Sequence, residues 1–121
     1  MRLVLLLLSL ALTSGAGFEP AAVAGTWNVV ANVGGNQSEQ ACTFVQKDGE
    51  LTGSCKGERG TYPVTGKVDG KSITWQFEIE YEGQKLIPVY TGTLESADKI
   101  AGAVDVQGMG IGGEFTATRA K

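Results

Sequence analysis

The sequence predicts an all-β protein: eight antiparallel strands in an up-and-down meander that closes on itself as a barrel, behind an N-terminal leader. Beyond Pro20, apolar and polar residues alternate with period two in one segment after another. Gly-containing turn dipeptides separate these segments at short intervals, and none carries a useful 3.6-residue apolar period. Short strands, tight turns and no helix together point to a closed meander. The expected strands lie near 25–33, 40–47, 50–56, 61–68, 71–81, 84–94, 99–106 and 113–119.

The leader comes first. Met1–Leu12 reads MRLVLLLLSLAL, one Arg and then nine Leu, Val or Ala residues interrupted only by Ser9. A membrane-spanning helix needs ~20 apolar residues, about twice this run. Thr13-Ser14-Gly15-Ala16 supplies the small residues that a secretory peptidase cuts behind. Ala22-Val23-Ala24 is a second such site, so the cut falls after Ala16 or as late as Ala24. No Cys lies near either, which excludes a lipid anchor. Residues 1–16 are thus expected to be a signal peptide, 17–24 an N-terminal arm and 25–121 one barrel domain. The mature chain would be periplasmic or extracellular, with no membrane anchor and in an oxidising compartment.

The turns fix which residues face each other. A two-residue turn at Asp48-Gly49 sets Lys47 opposite Glu50, Phe44 opposite Gly53 and Cys42 opposite Cys55. One at Asp69-Gly70 sets Val64 opposite Trp75 and Tyr62 opposite Phe77. Glu82-Gly83 sets Glu80 opposite Lys85 and Trp75 opposite Tyr90. All three registers send the large apolar residues to one face. Pro88 conflicts with a two-residue turn at Glu82-Gly83, because its missing N–H would face Phe77. A four-residue loop, Tyr81–Gln84, keeps the same facing pairs and removes the conflict. Leu51-Thr52-Gly53, Val64-Thr65-Gly66, Tyr90-Thr91-Gly92 and Ile100-Ala101-Gly102 each end on an inward Gly, useful where small barrels bend their strands sharply.

With this pattern in place, the chain resembles the calycin group of lipocalins, fatty-acid-binding proteins and avidins. Gly25-Thr26-Trp27 opens the first strand and Phe115-Thr116-Ala117-Thr118-Arg119 closes the last, and Leu51-Thr52-Gly53-Ser54 extends the likeness. The resemblance implies that Arg119 stacks on Trp27 and shuts the barrel floor. The chain is also similar to small exported bacterial lipocalin-like domains, some of them appended to metal-dependent amidohydrolases. Biotin binding does not carry over from avidins, whose site needs several Trp; here there are Trp27 and Trp75, and Trp27 is taken by the floor.

Composition narrows the chemistry. The 121 residues hold 42% hydrophobic and 19% charged residues with a net charge of −3. That gives no electrostatic footprint for nucleic acid. There are 18 Gly and no His, so the commonest general base and transition-metal ligand is missing. Cys42 and Cys55 face each other across a hairpin in an exported chain, which predicts a disulfide worth roughly 2–3 kcal/mol. A redox dithiol lacks C-x-x-C spacing and an activating group; zinc lacks further Cys or any His. Glu78, Glu80 and Glu82 share the outer face of one strand beside Lys85, not a cleft. Gly108-Met109-Gly110-Ile111-Gly112-Gly113 has neither the Lys-Ser/Thr nor the following helix of a phosphate loop, and reads as a hairpin. Asn36-Gln37-Ser38 is a glycosylation pattern of consequence only in a eukaryotic host. No Ser sits near a base and an orienting acid. The expectation is a non-enzyme with no cofactor and no metal.

The interior remains. Parity points Trp27, Phe44, Leu51, Tyr62, Val64, Trp75, Phe77, Ile79, Leu86, Tyr90, Val104 and Phe115 inward, with Tyr62, Tyr90 and Gln46 as polar tips. Two readings stay open. The rings fill a small barrel, or they line a chamber for a small apolar or aromatic ligand, with Phe44, Tyr62, Trp75, Phe77, Tyr90 and Phe115 as its wall. A different class of function is a protein-interaction module, such as a periplasmic protease inhibitor or accessory domain, using Gly17–Ala24 as a free arm. Outside, Ile87, Val89, Thr91, Ala101, Ala103, Thr116 and Thr118 fall on one face of the sixth to eighth strands. That small uncharged patch is expected to support a homodimer.

Overall fold

The computed structural model describes residues 20–120. Met1–Glu19, with the leader and the cut after Ala16, lie outside the described residues. Nine strands follow: β1 Gly25–Val33, β2 Asn36–Lys47, β3 Glu50–Gly57, β4 Gly60–Asp69, β5 Ser72–Gln76, β6 Ile79–Tyr81, β7 Gln84–Ser96, β8 Lys99–Gln107 and β9 Ile111–Arg119. Sequential neighbours other than β5 and β6 pair antiparallel, β9 returns to β1, and both β5 and β6 pair with β7, with Trp75 opposite Tyr90. β5 and β6 occupy one barrel position, so the architecture is an eight-stranded closed meander, the fold class the alternation predicts.

Two registers agree with the turn arithmetic. Cys42 pairs with Cys55, Phe44 with Gly53 and Lys47 with Glu50; Glu80 pairs with Lys85. The third is displaced. Asp69 pairs with Ser72 and Gly66 with Trp75, so the turn is Gly70-Lys71 and Val64 does not face Trp75. Gly70 has φ 60° and supplies the left-handed first position of that turn. A two-residue slip preserves parity, so every side chain keeps its face. The second strand also begins earlier than residue 40: Gly34 and Gly35, at φ 59° and 84°, make a tight turn that brings Asn36–Glu39 into the sheet.

Pro88 is accommodated differently from the expected four-residue loop. Tyr81 pairs with Gln84 across a two-residue turn in which Glu82 and Gly83 both have positive φ. The ladder instead breaks at Phe77–Glu78, which separates β5 from β6 where Pro88 has no N–H to give. The turn keeps its favoured geometry and the strand yields.

The inward glycines sit where neighbouring strands crowd closely. A Cβ on Gly53 would lie 1.9 Å from the Thr43 carbonyl oxygen, and one on Gly102 2.0 Å from that of Thr91. Gly66 is similarly crowded by Thr74, and Gly92 by Ala101 and the Phe115 ring. All four glycines of the recurring pattern therefore sit where neighbouring backbone leaves no room for a side chain.

The closed ladder also gives the stagger. Leaving β2 at Gln46, the facing residues are Leu51, Gly66, Trp75, Tyr90, Val104, Gly113 and Val33, and the circuit returns to β2 at Asn36. That is ten residues along the strand, which requires strands tilted by about 40° to the barrel axis. The core is the barrel interior, where the buried apolar residues form one cluster.

Candidate functional site: a floored barrel with an aromatic stair

One end of the barrel is shut. The Arg119 guanidinium lies 4.4 Å from the Trp27 ring centroid, the stacking that the calycin resemblance implies. The same fork donates to the carbonyls of Ala24 (2.8 Å), Ala22 (3.2 Å) and Ala97 (3.1 Å). Val23 is fully buried, and its carbonyl accepts the Trp27 indole N–H at 3.0 Å. Gln46 completes the seal: its Oε1 accepts the Val23 N–H, and its Nε2 donates to the carbonyls of Ala21 and Asp48. The Ala21 N–H in turn bonds the Gly70 carbonyl. Ala21–Ala24 are thus floor, not a free arm, because six hydrogen bonds tie that segment to the barrel.

The other end carries the hairpin turns at Gly34-Gly35, Glu58-Arg59, Glu82-Gly83 and Gly108–Gly110. Its rim is partly apolar: Tyr81, Met109 and Ile111 are exposed, and Arg59 lies 5.4 Å from the Tyr81 ring centroid. Tyr62 and Ile79 are half-buried just inside it. Gly57 and Gly60 face each other here, and the Gln40 side chain and Tyr62 ring lie over them. This end is the mouth.

Between mouth and floor the rings form one connected cluster. Tyr62 stacks on Phe77 at 5.5 Å, Phe77 on Tyr90 at 6.0 Å, and Tyr90 on Trp75 at 5.0 Å with only 6° between planes. This is a stair of near-parallel rings leading from the half-buried Tyr62 to the fully buried Trp75. Phe44 and Phe115 pack against Trp75 at 5.1 Å each, and Phe115 meets Tyr90 edge-on at 5.3 Å. All six residues expected to line a chamber are brought together. The rings touch each other through the middle of the barrel. Burial pushes the Tyr90 hydroxyl up to about 12, so it stays a neutral hydrogen-bonding group.

Among the described residues two buried side-chain atoms have no hydrogen-bond partner: Trp75 Nε1 and Gln40 Oε1. Of the expected polar tips, Gln46 is absorbed by the floor. Gln40 is not among those tips. The inward parity of Cys42 and Phe44 extends back to it.

The remaining candidates fall outside this site. Cys42 and Cys55 form a disulfide, both fully buried, with Cα atoms 4.0 Å apart at a close cross-strand position. Glu78, Glu80 and Glu82 are exposed, and Glu78 pairs with Lys85 at 3.8 Å. Gly108–Gly113 form the β8–β9 hairpin. The expected dimer face is not uncharged: Asp105 faces Val89 and Glu114 faces Ala103, both acids exposed. Alternation placed the small residues correctly, but the patch omitted the acids that share their outward parity.

No protein-family model matches the chain, and no curated protein matches it. Two solved structures share the fold. One is a redesigned β-barrel, b11L5F_LGL, with a TM-score of 0.60 and 19% identity over 81% of this chain and 91% of that one. The other is EF1p2_mFAP2b bound to DFHBI, with a TM-score of 0.56 and 16% identity over 80% of this chain and 93% of that one.

Proposed function

We propose that this barrel binds a small planar molecule, apolar or aromatic, at the mouth side of its interior and carries out no reaction on it. The observation that carries the reading is the aromatic stair. The rings run near-parallel from a half-buried Tyr62 to a fully buried Trp75. A flat guest extends such a stack by the same offset contact, each worth about 0.5–1.5 kcal/mol beyond area burial. The sealed floor leaves one way in, past the apolar rim of Tyr81, Met109 and Ile111. A barrel of similar fold, EF1p2_mFAP2b, is bound to DFHBI, which supports the reading.

The buried disulfide supports an exported chain, since such bonds persist in oxidising compartments. The floor also bears on the leader. Removal of residues through Ala24 would take away Val23 and the carbonyls that Arg119 holds, which favours a cut after Ala16 over one after Ala24. A protein-inhibitor role through a free arm is disfavoured by the same bonds.

Titration with planar aromatics and branched aliphatics of equal size, read by tryptophan emission, tests the proposal. Saturable quenching by planar compounds, with weaker effects from aliphatics, is expected. No change with any compound overturns it.

A further inference from the structure

We propose that the guest is a neutral planar aromatic whose edge carries both a hydrogen-bond acceptor, taken by the Trp75 indole N–H, and a hydrogen-bond donor, taken by the Gln40 amide oxygen. This rests on the interior being a binding site and goes beyond that reading in naming the guest's chemistry and the two residues that select it.

The argument begins with a contrast inside the molecule. The barrel contains two inward Trp/Gln sets. At the floor every polar atom is used: Trp27 Nε1 donates to Val23, and Gln46 makes three hydrogen bonds through its amide. Higher up, Trp75 Nε1 and Gln40 Oε1 have nothing. A buried polar group without a partner costs stability, and native proteins keep few of them. Where the same fold satisfies one set completely, the second set is positioned for something that arrives later.

The stagger places the two residues in adjacent inward layers. The ladder from Gln46 climbs ten residues of β2 in a full circuit of eight barrel positions. Trp75 lies three positions round that circuit, so its height corresponds to a point near Cys42 on β2. Gln40 is the next inward residue above Cys42 on that strand. Gln40 thus lies one inward layer closer to the mouth than Trp75, three strands away round the wall. A single small guest can meet both.

The class follows from what else is there. Among the described residues no charged side chain is buried, so an ionised guest would enter without a counter-charge. The stair of parallel rings selects a flat body. One orphan donor and one orphan acceptor select an edge with both complements, as in a lactam, a hydroxylated heterocycle or a phenolic ketone. A plain hydrocarbon would leave both protein atoms unpaired, which is how polar sites reject analogues that lack the matching group.

Quinolin-2-one and naphthalene share an outline, and only the first has a carbonyl acceptor beside an N–H donor. Calorimetric titration of the wild-type chain is expected to favour quinolin-2-one by about tenfold or more. With Gln40→Leu that preference should fall at least about fivefold. The chain has two Trp, so ¹H–¹⁵N spectra carry an internal control. The Trp75 indole signal should move downfield on adding quinolin-2-one, while that of Trp27, already bonded to Val23, stays in place. Equal affinity for the two probes, an unchanged preference in Gln40→Leu, or a still Trp75 signal overturns the inference and leaves the site standing. Failure of both probes to bind overturns it together with the reading beneath it.

Discussion

Replacing Arg119 with alanine removes the piece that holds the floor together. Its guanidinium stacks on Trp27 at 4.4 Å, a contact worth about 1 kcal/mol at a partly exposed site. It also gives charge-assisted hydrogen bonds to three carbonyls, those of Ala22, Ala24 and Ala97. At about 1 kcal/mol each, discounted because the side chain is 29% exposed, these add about 2–3 kcal/mol. The total is about 3–4 kcal/mol. A domain of this size unfolds with about 0.2 kcal/mol per kelvin of entropy, so Tm should fall by about 15–20 °C. Arg119→Lys keeps the charge but not the planar fork, and should recover less than half of that loss. The partner carboxylate of Asp98, 3.3 Å away but 76% exposed, should matter little, and Asp98→Ala is the control. Thermal melts followed by circular dichroism measure all three. A drop under about 4 °C for Arg119→Ala, or an Arg119→Lys melt equal to wild type, would refute the floor as described.

Other perturbations have distinct signatures. Gly102→Ala puts a Cβ 2.0 Å from the Thr91 carbonyl oxygen, so a loss above about 3 kcal/mol or failure to fold is expected in denaturant titrations. Cys42→Ala with Cys55→Ala opens a loop of 13-residue separation and should cost about 3 kcal/mol, with the barrel retained by circular dichroism. Tyr90, raised to about 12 by burial, keeps its proton in the folded state while the unfolded chain loses it near its ordinary value of 10.0. The unfolded state then binds fewer protons, so stability should decline as pH rises from 10.0 toward about 12, traced by denaturant midpoints against a Tyr90→Phe control.

Much of this was legible in the chain. Period-2 alternation assigned the inward face correctly for every large residue from Trp27 to Phe115, because parity survives even the two-residue slip at Gly70-Lys71. The cross-strand cysteines followed from one turn. Three things were not legible. Val23 reads as part of a peptidase site, and its burial depends on Gln46 and Arg119 arriving from distant strands. Pro88 presents a conflict that either the turn or the opposite strand can absorb, and only packing around Phe77 decides which. Gln40 carries no signal as a residue type; its unpaired oxygen is a property of the assembled wall.

Intermolecular NOEs from bound quinolin-2-one at saturation test the central claim most directly. A floored barrel with its site on the mouth side predicts contacts to Tyr62, Phe77 and Leu86, inward residues between the rim and Trp75. Contacts confined to Val23 and Val68 at the floor, or to the outward Thr65 and Thr74, would contradict it.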